Sequence, residues 1–251
     1  MWMYNAGLGA GVPYASWNED SELVANSAVW LMESGASANE TGFDNRSTPL
    51  TGVDLIGTQS GSVAAASGSP PNRAFDGTDD YMHWTQNASD IVANGTNTWT
   101  LLMKLGDVTE AQTQDHTIVD FRDAAPANII EAIYLGGVST WIVRVATVDL
   151  INAATVTPIP TSGIVHVAFW GDATYVRCGW VGAAGGSGAN GQPTKYSDFP
   201  ANNRRTYTGT ATWANTTFSS LRYIMTRGAA FTAGKVYYLL LSDTCLIDNL
   251  S

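Results

Sequence analysis

Charge is scarce in this chain of 251 residues. Asp, Glu, Lys and Arg make up 14% of it, against about a quarter of an average soluble protein. That excludes a coiled coil and a charged disordered tail, both of which are built from charged residues. Cations are the scarcer sign: 12 Lys and Arg face 22 Asp and Glu, for a net charge of −10. A surface of that sign repels phosphate, so neither nucleic acid nor an anionic membrane is an expected partner. Long apolar runs are missing too. The longest, Val236 to Leu241, has the length of a strand and is too short for a helical membrane span. Two cysteines, Cys178 and Cys245, do not by their count distinguish a bridge from two buried thiols, but a domain of this size needs no staple, which favours the thiols. His83, His116 and His166 are widely separated. There is no His-Glu-X-X-His pattern and no Gly-X-Ser-X-Gly elbow, so zinc and serine-hydrolase chemistry find no support.

What the chain does have is apolar residues at 45%, 25 glycines and short β-rich runs separated by Gly, Pro, Asn and Asp, most clearly from Trp99 onward. His116 to Arg122 alternates, with Thr117, Val119 and Phe121 on one face. Tyr175 to Trp180 alternates as well, and there Val176, Cys178 and Trp180 are expected to be buried opposite Tyr175 and Arg177. Thr140 to Val148, Gly163 to Trp170 and Leu221 to Met225 read as further strands. Val236 to Leu241, apolar on both faces, reads as a central one. Ser21 to Glu33 fits a helix or a strand. This many strands call for two packed antiparallel sheets, each covering the apolar face of the other.

Two regions depart from that pattern. Residues 1–22 combine Gly7, Gly9, Gly11 and Pro13 with Trp2, Tyr4, Tyr14 and Trp17. The composition is too flexible for a strand and too aromatic for an idle linker, and it is expected to be a docking arm whose four aromatics contact other subunits of an oligomeric assembly. Residues 23–251 form the β domain. Val181 to Gly191 is a Gly/Ala/Ser loop. Its Gly186-Ser187-Gly188-Ala189-Asn190-Gly191 matches a dinucleotide fingerprint only by letter, since Pro193 follows in place of a helix.

Four segments, in order, resemble the laminin-G-like branch of the concanavalin A-like lectin/glucanase superfamily. They are Ala28 to Glu33 followed by Asp44 to Thr51; Ala74-Phe75-Asp76-Gly77-Thr78-Asp79-Asp80-Tyr81-Met82; Val165 to Arg177 with a turn at Gly171-Asp172; and Phe231 to Tyr238 with Leu241-Ser242-Asp243. The resemblance implies an all-β jelly-roll sandwich of two antiparallel sheets. It also implies a short helical cap after the closing strand and, at the turns of Asp44 and Asp76, the ligands of a structural calcium; no cofactor is otherwise required. Lys235-Val236 stands where many relatives carry an acidic residue.

Glycosidases of this fold carry paired carboxylates in a Glu-X-Asp-X-X-Glu arrangement. None of the six Glu, at 19, 22, 33, 40, 110 and 131, has that spacing, so no enzyme is expected. Asp76, Asp79 and Asp80 read first as a turn. Sugar binding would use exposed aromatics, for which Trp84, Trp141, Tyr196 and Trp213 are the loop-flanked candidates. An opening without Lys or Arg before Arg46 does not read as a secretory leader. Together with the arm and the lectin-like fold, it points to a non-enzymatic structural or adhesion protein of a virion surface, of capsid-decoration or fibre type, that binds host glycans. A free carbohydrate-binding module of a cellular or secreted protein, with an extracellular location, and a diverged glycoside hydrolase are the alternatives.

Overall fold

The computed structural model describes residues 27–31, 39–44, 48–49, 56–60, 64–66, 72–83, 97–108, 115–122, 129–135, 140–145, 148–153, 157–188, 191–210, 221–224, 226–227, 230–231, 233–242 and 244–248. In chain order the strands are β1 (Ser27–Leu31), β2 (Asn39–Asp44), β3 (Thr48–Pro49), β4 (Ile56–Ser60), β5 (Ala64–Ala66), β6 (Asn72–Asp76), β7 (Tyr81–His83), β8 (Trp99–Gly106), β9 (Asp115–Arg122) and β10 (Ile129–Leu135). They continue with β11 (Thr140–Val145), β12 (Val148–Ala153), β13 (Ile164–Gly171), β14 (Tyr175–Gly182), β15 (Arg204–Thr208), β16 (Leu221–Ile224), β17 (Thr226–Arg227), β18 (Ala230–Phe231) and β19 (Ala233–Ser242). The arm, with Trp2, Tyr4, Tyr14 and Trp17, lies outside the described residues, as do Trp84 and Trp213.

The protein is all-β, and among the described residues every pairing between strands is antiparallel. The apolar run in β19 makes it the centre of the first sheet. One edge of β19 pairs with β8, while the other pairs with β6 along its first half and with β1 along its second. From β8 the sheet continues through β13 and β14 to β15. A second sheet runs β4, β7, β16, β9, β10, β11, β12. Strand β2 joins the two: Asn39 to Thr41 pair with β4, whereas Phe43 and Asp44 pair with β1 and β3.

Strands β8, β13 and β19 are buried along nearly their whole length, on both faces. Their near-continuous apolar sequence follows from that double cover. One face carries Leu101, Met103, Val167, Phe169, Val176 and Cys178, all at 1% exposure or less. From it the half-buried Trp180 indole N–H donates to the Thr157 carbonyl at 2.9 Å, beyond the last strand of the second sheet. The burial of Val176 and Cys178 follows the alternation read from the sequence. The opposite face carries Ala168 and Trp170 and is roofed by residues 191–203 and 244–248.

Several expectations need adjusting. Ser21 to Glu33 resolves as a strand over Ser27–Leu31, and Thr140 to Val148 divides into β11 and β12. Strand β14 extends through Val181 and Gly182 before the glycine loop starts. The alternation of His116 to Arg122 is interrupted by a bulge: Ala132 pairs with Val119 and Ile133 with Thr117, so Ile118 has no partner residue in that ladder. No helical cap follows β19 within 244–248. The two cysteines are free, because Cys178 lies on one face of the first sheet while Cys245 packs on the other.

Candidate functional site

The register of the first sheet arranges side chains on its roofed face into three rows. Tyr238, Lys104, His166 and Val181 form one; Leu240, Leu102, Ala168, Gly179 and Arg204 the next; Ser242, Thr100, Trp170, Arg177 and Thr206 the third. The last two rows begin at β19 and end with cationic and hydroxyl groups at β15. That end is where the chemistry gathers.

The roof is held by specific bonds. Phe199 stacks on Trp170 with ring centroids 5.2 Å apart. It reaches that position over Gly179, where a Cβ would lie 2.8 Å from the Phe199 ring. Asp198 fixes the preceding loop through one oxygen, Oδ2, which accepts from Ser187 N (3.1 Å), Ser187 Oγ (2.8 Å), Thr194 N (2.9 Å) and Lys195 N (3.1 Å). Partial burial works against its charge, but these donors outweigh it and hold the Asp198 carboxyl below the ordinary range. Tyr196 N donates to Asp248 O at 2.7 Å and Asp248 N to Thr194 O at 2.8 Å, which ties the loop to the C-terminal segment.

At the β14–β15 end, two tyrosines and two arginines interleave. The Arg177 guanidinium carbon lies 4.3 Å from the Tyr175 ring centroid and 4.5 Å from that of Tyr196, and the Arg204 guanidinium carbon lies 4.1 Å from the Tyr196 centroid. Such stacking stabilises each pair by about 0.5–2 kcal/mol. Arg204 Nη1 also donates to Tyr196 O at 2.6 Å, and the Tyr196 hydroxyl and Thr206 Oγ1 are 2.9 Å apart. Tyr175, Tyr196 and Arg204 are partly exposed and Thr206 is exposed, whereas Arg177 is buried within the stack.

Of the aromatics singled out for sugar contact, Tyr196 alone has a described side chain. It is half-buried, with two guanidiniums over its ring and the edge of Trp170 at 6.1 Å. Trp141 is placed on β11 opposite Tyr134, and Asp44 on β2 opposite Ala28, but their side chains lie outside the described residues. Asp76 does what the turn reading expects: its Oδ1 accepts from Thr78 N at 2.7 Å, and Asp80 Oδ2 accepts from Asp76 N at 3.0 Å. Carboxylate oxygens of Asp76, Asp79 and Asp80 come within 4.8 Å of one another. As hard donors they suit calcium, although the turn itself already accounts for these bonds. Lys235 donates to Asp107 Oδ2 at 2.6 Å. The Asp172 turn between β13 and β14 is as expected, with Oδ1 accepting from Tyr175 N at 2.6 Å.

Arg177 and Arg204 were not among the residues picked from the sequence. Two signals marked them: the Tyr-X-Arg alternation of 175 to 177, and Arg204-Arg205, the one pair of adjacent cations in the chain.

No family model matches the sequence, and no curated protein does. Solved structures do match in fold. Domain 4 of AbnA, a GH43 extracellular arabinanase from Geobacillus stearothermophilus solved in complex with arabinotriose, aligns with a TM-score of 0.54 at 15% identity, over 79% of this chain and 87% of that one. Botulinum neurotoxin type C, whose cell entry depends upon interaction with two ganglioside molecules, aligns at 0.54 and 7% identity over 89% of this chain and 48% of its own. The binding domain of botulinum neurotoxin DC, in complex with rat synaptotagmin II, aligns at 0.54 and 7% identity over 91% and 50%. The chain thus spans about half the length of the toxin chains it matches. At these identities the likeness concerns the fold.

Proposed function

We propose that this chain is a non-enzymatic, glycan-binding recognition domain on a lectin-like jelly roll of the concanavalin A and laminin-G type, carried on the surface of a larger assembly. The observation that supports it best is the cluster of Tyr175, Arg177, Tyr196, Arg204 and Thr206 at the β14–β15 end of the first sheet, on a fold shared with a domain solved with a bound arabinose trimer. Hydroxyl and guanidinium donors beside aromatic rings are the groups that recognise sugar hydroxyls. A glycosidase is the weaker reading, since none of the six Glu has the paired-carboxylate spacing. Incubation with a panel of polysaccharides should release no reducing ends; steady release would overturn the non-enzymatic reading. Isothermal titration with an oligosaccharide panel should give saturable binding that weakens at least tenfold in Tyr196→Ala, and no heat with any sugar would sink the recognition role.

The assembly we favour is a virion exterior, as a decoration or fibre subunit attached through Trp2, Tyr4, Tyr14 and Trp17; the support is the aromatic, glycine-rich composition of residues 1–22. Size-exclusion of the full chain and of a form lacking residues 1–20 tests it. An oligomer that dissociates on truncation is expected, and a monomer in both cases removes the arm's role. On the family resemblance, calcium would be held at the turns of Asp44 and Asp76. Melting with calcium and with excess chelator decides that point, and equal midpoints would remove the ion.

A further inference from the structure

We infer that the ligand of the β14–β15 face is an acidic saccharide, one bearing a carboxylate or sulfate, and that Arg204 reads its oxyanion. The inference rests on the glycan-recognition reading above and specifies its ligand. It starts from an imbalance. In a chain of net charge −10, acids outnumber bases 22 to 12, so an arginine should readily find a carboxylate. Asp107 and Lys235 do pair in this way. Arg204 does not: among the described residues its contacts are the Tyr196 ring, at 4.1 Å, and the Tyr196 carbonyl, at 2.6 Å. Asp198, the one acid of residues 191–203, turns its Oδ2 to four other donors. Lys195, which precedes Tyr196, is exposed and makes no ion pair among the described residues.

The stacking geometry decides which chemistry is presented. A sugar that packs its C–H face on an aromatic needs the ring face. Here guanidiniums lie over both tyrosine rings. Tyr196 carries two of them and Tyr175 one, and the partly exposed Arg204 guanidinium has five N–H donors, of which one is used by a protein carbonyl among the described residues. The ring and the carbonyl also hold that guanidinium in one orientation, so little rotamer entropy is lost when an anion docks. A planar fork without a counter-ion among the described residues is the group best suited to a carboxylate, and a tetrahedral oxyanion fits it as well. Around it stand the Tyr196 and Thr206 hydroxyls, bonded to each other yet each with spare capacity for sugar oxygens.

The test uses three probes against the full chain at fixed ionic strength: tri-galacturonate, a sulfated chondroitin oligosaccharide and neutral arabinotriose. At least one acidic probe should bind tenfold or more tightly than the neutral one. Arg204→Gln should reduce that preference to threefold or less, and Arg204→Lys should retain part of it. In the wild-type chain, the Arg204 Nε–Hε resonance should move on titration with the acidic sugar and stay put with the neutral one; this readout needs no variant to fold. Which acidic probe wins separates carboxylate from sulfate. Equal affinities for neutral and acidic probes, with binding still lost in Tyr196→Ala, would overturn the acidic ligand while the recognition reading survives. An acidic preference that Arg204→Gln leaves intact would overturn the role of Arg204. Failure of all three probes to bind would take down both.

Discussion

His166 sits in an environment far from the one it would have in water. It is fully buried on β13, with Nδ1 2.8 Å from the Tyr238 hydroxyl. Burial, reinforced by the nearby Lys104 and opposed by the Ala183 backbone, pushes its imidazole down to about 3. The unfolded chain takes up a proton near pH 6.5 whereas the folded chain does not, so the contribution is complete above 6.5 and shrinks as pH falls toward 3. Between pH 7 and pH 5 this group alone should remove about 2 kcal/mol of stability. His166→Gln, which keeps a partner for Tyr238, should lose correspondingly less over the same range in urea titrations. Parallel losses in the two proteins would show that the histidine is not responsible. Asp198 titrates with the same sign at lower pH. Its folded-state carboxyl is depressed, so its contribution is present above about pH 4 and fades as pH falls through the folded value. At neutral pH, Asp198→Asn should cost about 1–2 kcal/mol, because a charge-assisted acceptor is replaced by a neutral one at a partly exposed site. An unchanged midpoint at pH 7 would mean that the four donors find water as readily.

At the scale of elements, the glycine-rich loop separates two uses of the same residue. At Gly186 a Cβ would lie 2.1 Å from the Gln192 carbonyl oxygen, and at Gly191, with φ of +72°, a Cβ would lie 2.1 Å from the Ala183 carbonyl oxygen. Gly163 has φ of +87° but open space around it. Gly163→Ala should therefore cost only the left-handed penalty, about 1–2 kcal/mol, while Gly191→Ala adds a backbone collision and should cost clearly more. The reverse order in thermal melts would contradict the loop conformation. This contrast also shows where sequence reasoning ran out. The strands with strict alternation or an unbroken apolar run, β13, β14 and β19, were legible because burial imposes a period of two or full cover. Val181 to Gly191 could be recognised as a loop, but residues 191–203 beyond it could not be recognised as the roof of a second core, because what orders them is the distant contact of Phe199 with Trp170 and of Tyr196 with Asp248. The same holds at the candidate site. Tyr196 could be picked as an aromatic beside a loop, whereas Arg177 and Arg204 become its neighbours only through the β14–β15 register.

For the whole molecule, the first sheet separates two apolar layers, and each contains one thiol. Cys178 is fully exclosed from solvent on the face from which Trp180 reaches Thr157, and burial raises its thiol well above the ordinary range. Cys245 lies under the edge of the roof, partly exposed, its Sγ 3.3 Å from the Ile247 carbonyl. Because the sheet stands between them they cannot form a bridge, and a reductant should leave the melting temperature unchanged. The two layers should also open differently. Lifting residues 244–248 exposes Cys245 without separating the strands of the first sheet, whereas Cys178 requires the strands themselves to part. With an aromatic disulfide reagent under native conditions, Cys245 should react at a rate that is insensitive to low urea, and Cys178 only at the rate of global unfolding, with the full urea dependence. Two thiols reacting together, at one rate and with one urea dependence, would mean that the roof and the sheet form a single cooperative unit.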